Sequence, residues 1–293
     1  MNQLTMFETD SIKAVNVSKI PQRSPFRYPG GKTWLVPWIR LWFSNMTSKP
    51  TEFIEPFAGG AIVGLTAAFE NLAERVTLVE IDDQVAAVWK TILSDDVKWL
   101  CDKIYSFNLT LDNAKREIEK CPGTVREKAF ITILKNRIYH GGIIANGSGM
   151  IKNGENGKGI KSRWYPQTLI NRMTAIYDHR ERINFIEGDG IQYLNQLSLV
   201  DNAAVFIDPP YTAGGKNAGK RLYKYSEIDH IKLFNIAGEL ACPFLMTYDN
   251  SQEIYELSDK SGFRKSLVPM KNTHHNTMFE LLISRDLNWL NKF

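Results

Sequence analysis

At 293 residues the chain is long enough for one large domain, or for a core domain with a smaller lobe set into it. Hydrophobic residues make up 43% and charged residues 23%, the balance of a globular protein rather than a disordered or fibrous one. Net charge is only +4, so the clustering of charge says more about partners than its sum does. The opening stretch MNQLTMFETD is acidic and has no long apolar core, which argues against a secretory signal. Residues up to about Ser18 read as a loosely ordered polar tail. No stretch approaches the run of about 18 apolar residues that a membrane span needs. Cys101, Cys121 and Cys242 are scattered and form no CxxC pair. They read as reduced thiols of a cytoplasmic protein, without a disulfide framework or a metal site.

From Thr51 the pattern becomes strand, glycine-rich turn, helix, strand, helix. EFIEPF at 52–57 reads as a strand and Ala58-Gly59-Gly60-Ala61 as the turn. Ile62, Val63, Leu65, Ala68 and Phe69 are spaced for one buried helix face. VTLVE at 76–80 is a second, mostly apolar strand, as parallel strands covered on both faces are. A helix over 82–93 opens with acids. Residues 95–139 read as helices only, with Thr124 and Glu127 forming a capping box. The segment from His140 to Pro166 has no helical period and several Asn-Gly turn signals, which marks it as functional or disordered. Alternation then returns: a helix near 167–181, a strand at 183–187, a helix near 190–197, a strand at 203–207 and a helix near 228–241. Strands near 243–247, 264–268 and 278–284 close the chain. The expected fold is an α/β sheet interrupted by a mostly helical lobe.

Three strand ends carry candidate ligand groups. Glycines at 59 and 60 allow a tight turn and close backbone approach, and the helix start adds N–H donors. Glu80 ends the next strand about 20 residues on, where a carboxylate can accept from two ribose hydroxyls; a solvated strand-end acid has the same spacing. In Gly188-Asp189-Gly190 an acid can accept from an adenine amino group, or simply cap the following helix.

The sharpest signal is Asp208-Pro209-Pro210-Tyr211, directly after the apolar strand AAVFI. Two prolines end the strand and make a rigid loop. The exocyclic amine of adenine is a poor nucleophile because its lone pair is delocalised. The Asp208 carboxylate and the Pro209 carbonyl can accept its two N–H groups and localise that pair. Tyr211 can stack on a base taken out of the duplex. If the strands at 53–57 and 203–207 are neighbours at a topological switch point, the glycine turn and this loop face one crevice.

Two basic clusters flank that crevice in sequence. Lys152, Lys158, Lys161 and Arg163 have only Glu155 opposing them, and Lys216, Lys220, Arg221 and Lys224 follow the Asp-Pro-Pro-Tyr loop. As sets they suit phosphate contacts, although any one lysine suits a solvated loop. Asn136, Arg137 and His140 could reach base edges; alternatively Asn136 and Arg137 brace the helix end. His274 and His275 read as a surface loop rather than a metal site.

Several spaced motifs together resemble the Dam-type N6-adenine DNA methyltransferases, from Pro25 onward. They are PFRYPGGK at 25–32, FIEPFAGGAIVGL at 53–65, LVEID at 78–82, NRIYHGGIIANGSG at 136–149, GIKSRWYP at 159–166, FIEGDG at 185–190, FIDPPY at 206–211 and FELLIS at 279–284. The resemblance implies a Rossmann-like, mostly parallel sheet with an antiparallel last strand. It implies a catalytic domain over 19–93 and 182–293, and a target-recognition lobe over 94–181 after the tail at 1–18. It implies S-adenosyl-L-methionine as cofactor, double-stranded DNA as partner, and no membrane or obligate protein partner. By the same resemblance Tyr28, Lys32, Phe57, Gly59, Glu80 and Asp189 would line the cofactor site. Asp208 would border both cofactor and base, and Pro209 and Tyr211 would hold the base. Glu80 stands where aspartate is commoner, and Ala61 stands where a third glycine could. Rival readings are an amino methyltransferase for cytosine N4 or RNA adenine, and a non-catalytic nucleic-acid-binding subunit.

Overall fold

The computed structural model describes residues 14–27, 30–145, 147–154, 157–197, 202–210, 228–271 and 277–292. Its centre is a seven-stranded sheet built from β1 (Glu52–Glu55), β2 (Arg75–Glu80), β3 (Ile183–Glu187), β4 (Ala203–Ile207), β5 (Phe244–Asp249), β6 (Arg264–Lys271) and β7 (Thr277–Ser284). The order is β3-β2-β1-β4-β5-β7-β6. The first five strands in this order run parallel, and β7 lies antiparallel to both β5 and β6. The expected mostly parallel sheet with an antiparallel end is borne out. β1 pairs with β2 on one side and β4 on the other, Glu52 aligning with Arg75 and with Ala203. The order reverses between β1 and β4, which is where open α/β sheets hold ligands.

Helices α1 (Val36–Ser44), α2 (Ile62–Phe69), α3 (Asp83–Ile92), α4 (Asp96–Ser106), α5 (Leu111–Ile118), α6 (Val125–Ile138), α7 (Pro166–Asp178), α8 (Gly190–Asn195), α9 (His230–Glu239) and α10 (Gln252–Lys260) accompany the sheet. β4 is buried along its length because helices and neighbouring strands cover it on every side. The capping box forms as expected: Thr124 accepts from the Glu127 N–H while the Glu127 carboxylate accepts from the Thr124 N–H. α4, α6 and α7 pack on α3, and their apolar residues Leu100, Phe130, Ile133 and Met173 belong to the same buried cluster as Phe53 and Leu78 of the sheet. Among the described residues no helix is long and apolar enough to cross a membrane.

Some elements differ from expectation. α1 and α10 carry no expectation from the sequence. α1 begins beside Pro37 and buries Trp38, Ile39, Trp42 and Phe43, so its apolar residues obscure a one-sided stripe. β1 ends at Glu55 because Pro56 has no N–H with which to extend the ladder. β6 runs on to Lys271 through Pro269, which an edge strand tolerates.

Candidate active site

The glycine turn after β1 is held from below. Ala58 N–H donates to the Val79 carbonyl at 2.9 Å, and Trp89 Nε1 donates to the Gly59 carbonyl at 3.0 Å. Gly59 has φ 46°, in the left-handed region that glycine enters freely. Gly59 N–H donates to Glu80 Oε2 at 2.8 Å, and Asp82 N–H donates to Glu80 Oε1 at 2.8 Å. Glu80 is 7% exposed, which removes the reading of a solvated strand-end acid. Burial carries its pKa up to about 7, against the pull of the backbone donors. Each carboxylate oxygen has two acceptor positions, so Glu80 keeps capacity for ligand hydroxyls.

The turn after β3 closes on the turn after β1. Gly188 N–H donates to the Glu80 carbonyl at 3.0 Å. A Cβ at Gly190 would stand 2.0 Å from the Pro56 carbonyl oxygen and 3.2 Å from the Phe57 ring, so only glycine allows this approach. Asp189 Oδ1 accepts from the N–H groups of Ile191 and Gln192 at 2.7 and 3.1 Å, the helix-capping role. Oδ2 makes no hydrogen bond among the described residues.

Asp208 follows β4 beside these turns. Its Oδ1 accepts from Thr247 Oγ1 at 2.7 Å and lies 3.1 Å from Lys32 Nζ. The same ammonium lies 3.3 Å from Glu280 Oε2 and donates to the Gly30 carbonyl at 3.0 Å. Lys32 is 3% exposed, so its ammonium sits buried between Asp208 and Glu280. Glu55, also buried, accepts from Gly64 N–H at 2.7 Å. Burial, and then the nearby Asp208 charge, push its carboxyl well above the usual range.

Of the two readings weighed for Asn136 and Arg137, base edges or a brace, their surroundings match the brace. Both are buried on α6. Asn136 pairs with the backbone of Arg27 on both sides: its Oδ1 accepts from Arg27 N–H at 2.9 Å and its Nδ2 donates to the Arg27 carbonyl at 3.0 Å. Its Nδ2 also donates to the Gly142 carbonyl at 2.7 Å. Arg137 donates to the Pro25 carbonyl, and Arg172 on α7 donates to the Ser24 carbonyl at 3.0 Å. These groups strap the Ser24–Arg27 segment to the helices, because that segment's backbone needs partners once it leaves water. Burial, and then Arg172, lower the Arg137 pKa to about 10.

His140, Lys152, Lys158 and Lys161 are exposed and Arg163 half-buried, all between α6 and α7. That segment is anchored by a bridge between Tyr139 and Met150 and by Ile151 N–H donating to the Ile138 carbonyl at 2.8 Å. Tyr28, Tyr211, Lys216, Lys220, Arg221, Lys224, His274 and His275 lie outside the described residues. Glu55, Thr247 and Glu280 carried no expectation. Acids within apolar strands, as in EFIE and FELLIS, were the available signal, since buried strand acids need partners.

Residues 28–120 match the family model of the D12 class N6 adenine-specific DNA methyltransferases. The match takes in the glycine turn and Glu80 and ends before Asp208. No curated protein matches the chain. Among solved structures the chain is similar to PH1948 from Pyrococcus horikoshii, whose RNA methyltransferase assignment is provisional (12% identity, TM-score 0.41, 92% of this chain and 93% of that one). It is similar to the rRNA methyltransferase aviRa from Streptomyces viridochromogenes (11% identity, TM-score 0.39, 88% and 87%). It is also similar to the precorrin-6y C5,15-methyltransferase of Geobacter metallireducens (10% identity, TM-score 0.36, 94% and 94%). These overlaps are loose.

Proposed function

With that family match as premise, we propose that the protein transfers a methyl group from S-adenosyl-L-methionine to the N6 amino group of adenine in double-stranded DNA. The observation that carries this reading is the pairing of β1 with β4: it sets the Gly59 turn and Asp208 at neighbouring strand ends, with Asp208 fastened by a buried lysine. The donor set fits the cofactor. Glu80 would accept from the ribose hydroxyls and Asp189 Oδ2 from the adenine amine, with Phe57 and Gly59 lining the turn beside them. When bound, the cofactor supplies an electrophilic methyl group on a sulfonium. Asp208 and the Pro209 carbonyl accept the two N–H groups of the target amine and localise its lone pair. Holding nitrogen in line with the methyl group supplies much of the rate. As the nitrogen gained the methyl group and the S–C bond to it broke, leaving a neutral thioether, Asp208 would be placed to accept the proton the amine gives up.

The same proposal makes 19–93 and 182–293 the catalytic unit and 94–181 the target-recognition lobe. His140, Lys152, Lys158, Lys161 and Arg163 belong to the DNA face, and Tyr28, Tyr211, Lys216, Lys220 and Arg221 keep the roles implied by resemblance. The test is to incubate the full chain with labelled cofactor and duplex DNA, digest to nucleosides and identify the product by mass spectrometry. Labelled N6-methyladenine is expected. Label only in cytosine N4, only in RNA, or in no nucleic acid would reject the reading.

Two further outcomes follow. Hydroxyl donors favour the ionised form of Glu80, whose pKa stands near 7 in the free protein. Cofactor affinity therefore rises with pH through this range, by up to about tenfold per unit below 7. Calorimetry at pH 6, 7 and 8 should show this and proton release, while Glu80→Gln binds weakly and without the pH slope. A wild-type affinity flat from pH 6 to 8 would remove Glu80 from the hydroxyl contacts. For DNA, Lys158→Ala and Lys161→Ala should each reduce the slope of log K against log salt by about one. Unchanged slopes would take these lysines off the phosphate footprint.

A further inference from the structure

We propose that Glu280 is a positioning residue for the catalytic carboxylate, acting on Asp208 through the shared ammonium of Lys32. The inference rests on the methyltransferase reading and extends it to a residue of the last strand in sequence. Lys32 Nζ stands 3.1 Å from Asp208 Oδ1, 3.3 Å from Glu280 Oε2 and 3.0 Å from the Gly30 carbonyl. An ammonium has three protons, enough to serve all three acceptors at once. The side chains are 4% exposed for Lys32, 12% for Glu280 and 20% for Asp208, so water screens the triad poorly. Strand geometry sets the arrangement: Glu280 aligns with Asp249 across β5 and β7, and Thr247, two residues before Asp249 on the same face, holds Asp208 at 2.7 Å.

One cation between two carboxylates does what a single ion pair would not. With Asp208 alone, Lys32 would give that oxygen its full pull and weaken Asp208 as an acceptor for the amine. Glu280 takes a share of that pull and fixes the ammonium from the far side. Asp208 then stays oriented and keeps its strength as an acceptor. Without Lys32, two carboxylates would face each other, and one would take a proton. Among the described residues, the other titratable groups around Asp208 are Glu55 on β1 and Tyr248 on β5, with Asp249 and Glu253 acting on Tyr248. Burial holds Glu55 and Tyr248 toward their neutral forms, so among the described residues Lys32 and Glu280 are the charged pair that bears on Asp208 at neutral pH.

The test uses Glu280→Gln and Lys32→Met in the full chain. Glu280→Gln keeps the side-chain shape and removes the charge. Its kcat should fall about tenfold or more, with KM for DNA and cofactor affinity within about twofold of wild type. The acid limb of its kcat profile should move to lower pH, and that of Lys32→Met to higher pH. A spectroscopic readout needs no turnover: the Lys32 ammonium should give a slowly exchanging 15N signal in the wild type, broadened by fast exchange in Glu280→Gln. Wild-type kcat and an unmoved acid limb in Glu280→Gln, or an unaltered Lys32 signal there, would overturn the proposal. If the wild type methylates no nucleic acid but the Lys32 signal responds as stated, the coupling stands and the methyltransferase reading fails.

Discussion

Asp208→Asn is expected to reduce methyl transfer by about a thousandfold or more, while cofactor binding stays within about fivefold. The amide keeps the size of the carboxylate and can still accept from Thr247 Oγ1, which holds Asp208 at 2.7 Å. It has lost the charge that Lys32 pairs with and that stabilises an amine as it becomes positive. Lys32 keeps Glu280 at 3.3 Å and the Gly30 carbonyl at 3.0 Å, so the variant leaves no stranded buried cation. The damage should therefore fall on kcat and spare the melting temperature. Single-turnover transfer with saturating cofactor, beside a calorimetric titration of the cofactor, separates the two quantities. Turnover within tenfold of wild type would remove Asp208 from the chemistry.

The second large effect is on the scaffold. In Gly190→Ala the new Cβ would meet the Pro56 carbonyl oxygen at 2.0 Å and its carbon at 2.9 Å. Backbone is the obstacle, so no side chain can swing away. The cost should reach about 3 kcal/mol, the upper end for overpacking. For a chain of this size that lowers Tm by about 6–12 °C. Moving Pro56 also displaces Phe57 and the glycine turn, so cofactor affinity should fall along with stability. Gly188→Ala is the control: its nearest atom is Ile186 Cγ2 at 3.8 Å, an ordinary contact, and its effect should stay within about 0.5 kcal/mol. Equal melting curves for the two variants would contradict the close approach of the two turns.

Much of the parallel half of the sheet can be read directly. β2 is a short apolar run that closes on Glu80, β4 is one followed at once by Asp208, and β3 leads straight into Gly188-Asp189; a run with its turn is a local pattern. The Thr124–Glu127 capping box is equally local, since its partners are one helical turn apart. Asn136 and Arg137 illustrate the opposite case. A polar pair at a helix end looks the same whether it faces DNA, water or a buried strap. Only Ser24–Arg27 lying across α6 and α7 makes them braces. Glu80 was legible as a strand-end acid, but not its burial beneath Gly59, which depends on how two turns stack.

The chain's local chemistry was enough to identify the strands, the glycine turn and the carboxylate that follows β4. Hydrophobic period and turn residues record which face of an element avoids water, and they do so within a few neighbours. They carry no record of which distant element supplies the covering. Closure of the sheet decided that Lys32 would meet Asp208 and Glu280, that Gly190 would touch Pro56, and that Asn136 would hold Arg27. Buried charges and backbone groups must find partners wherever packing brings them, so those pairings became visible only in three dimensions.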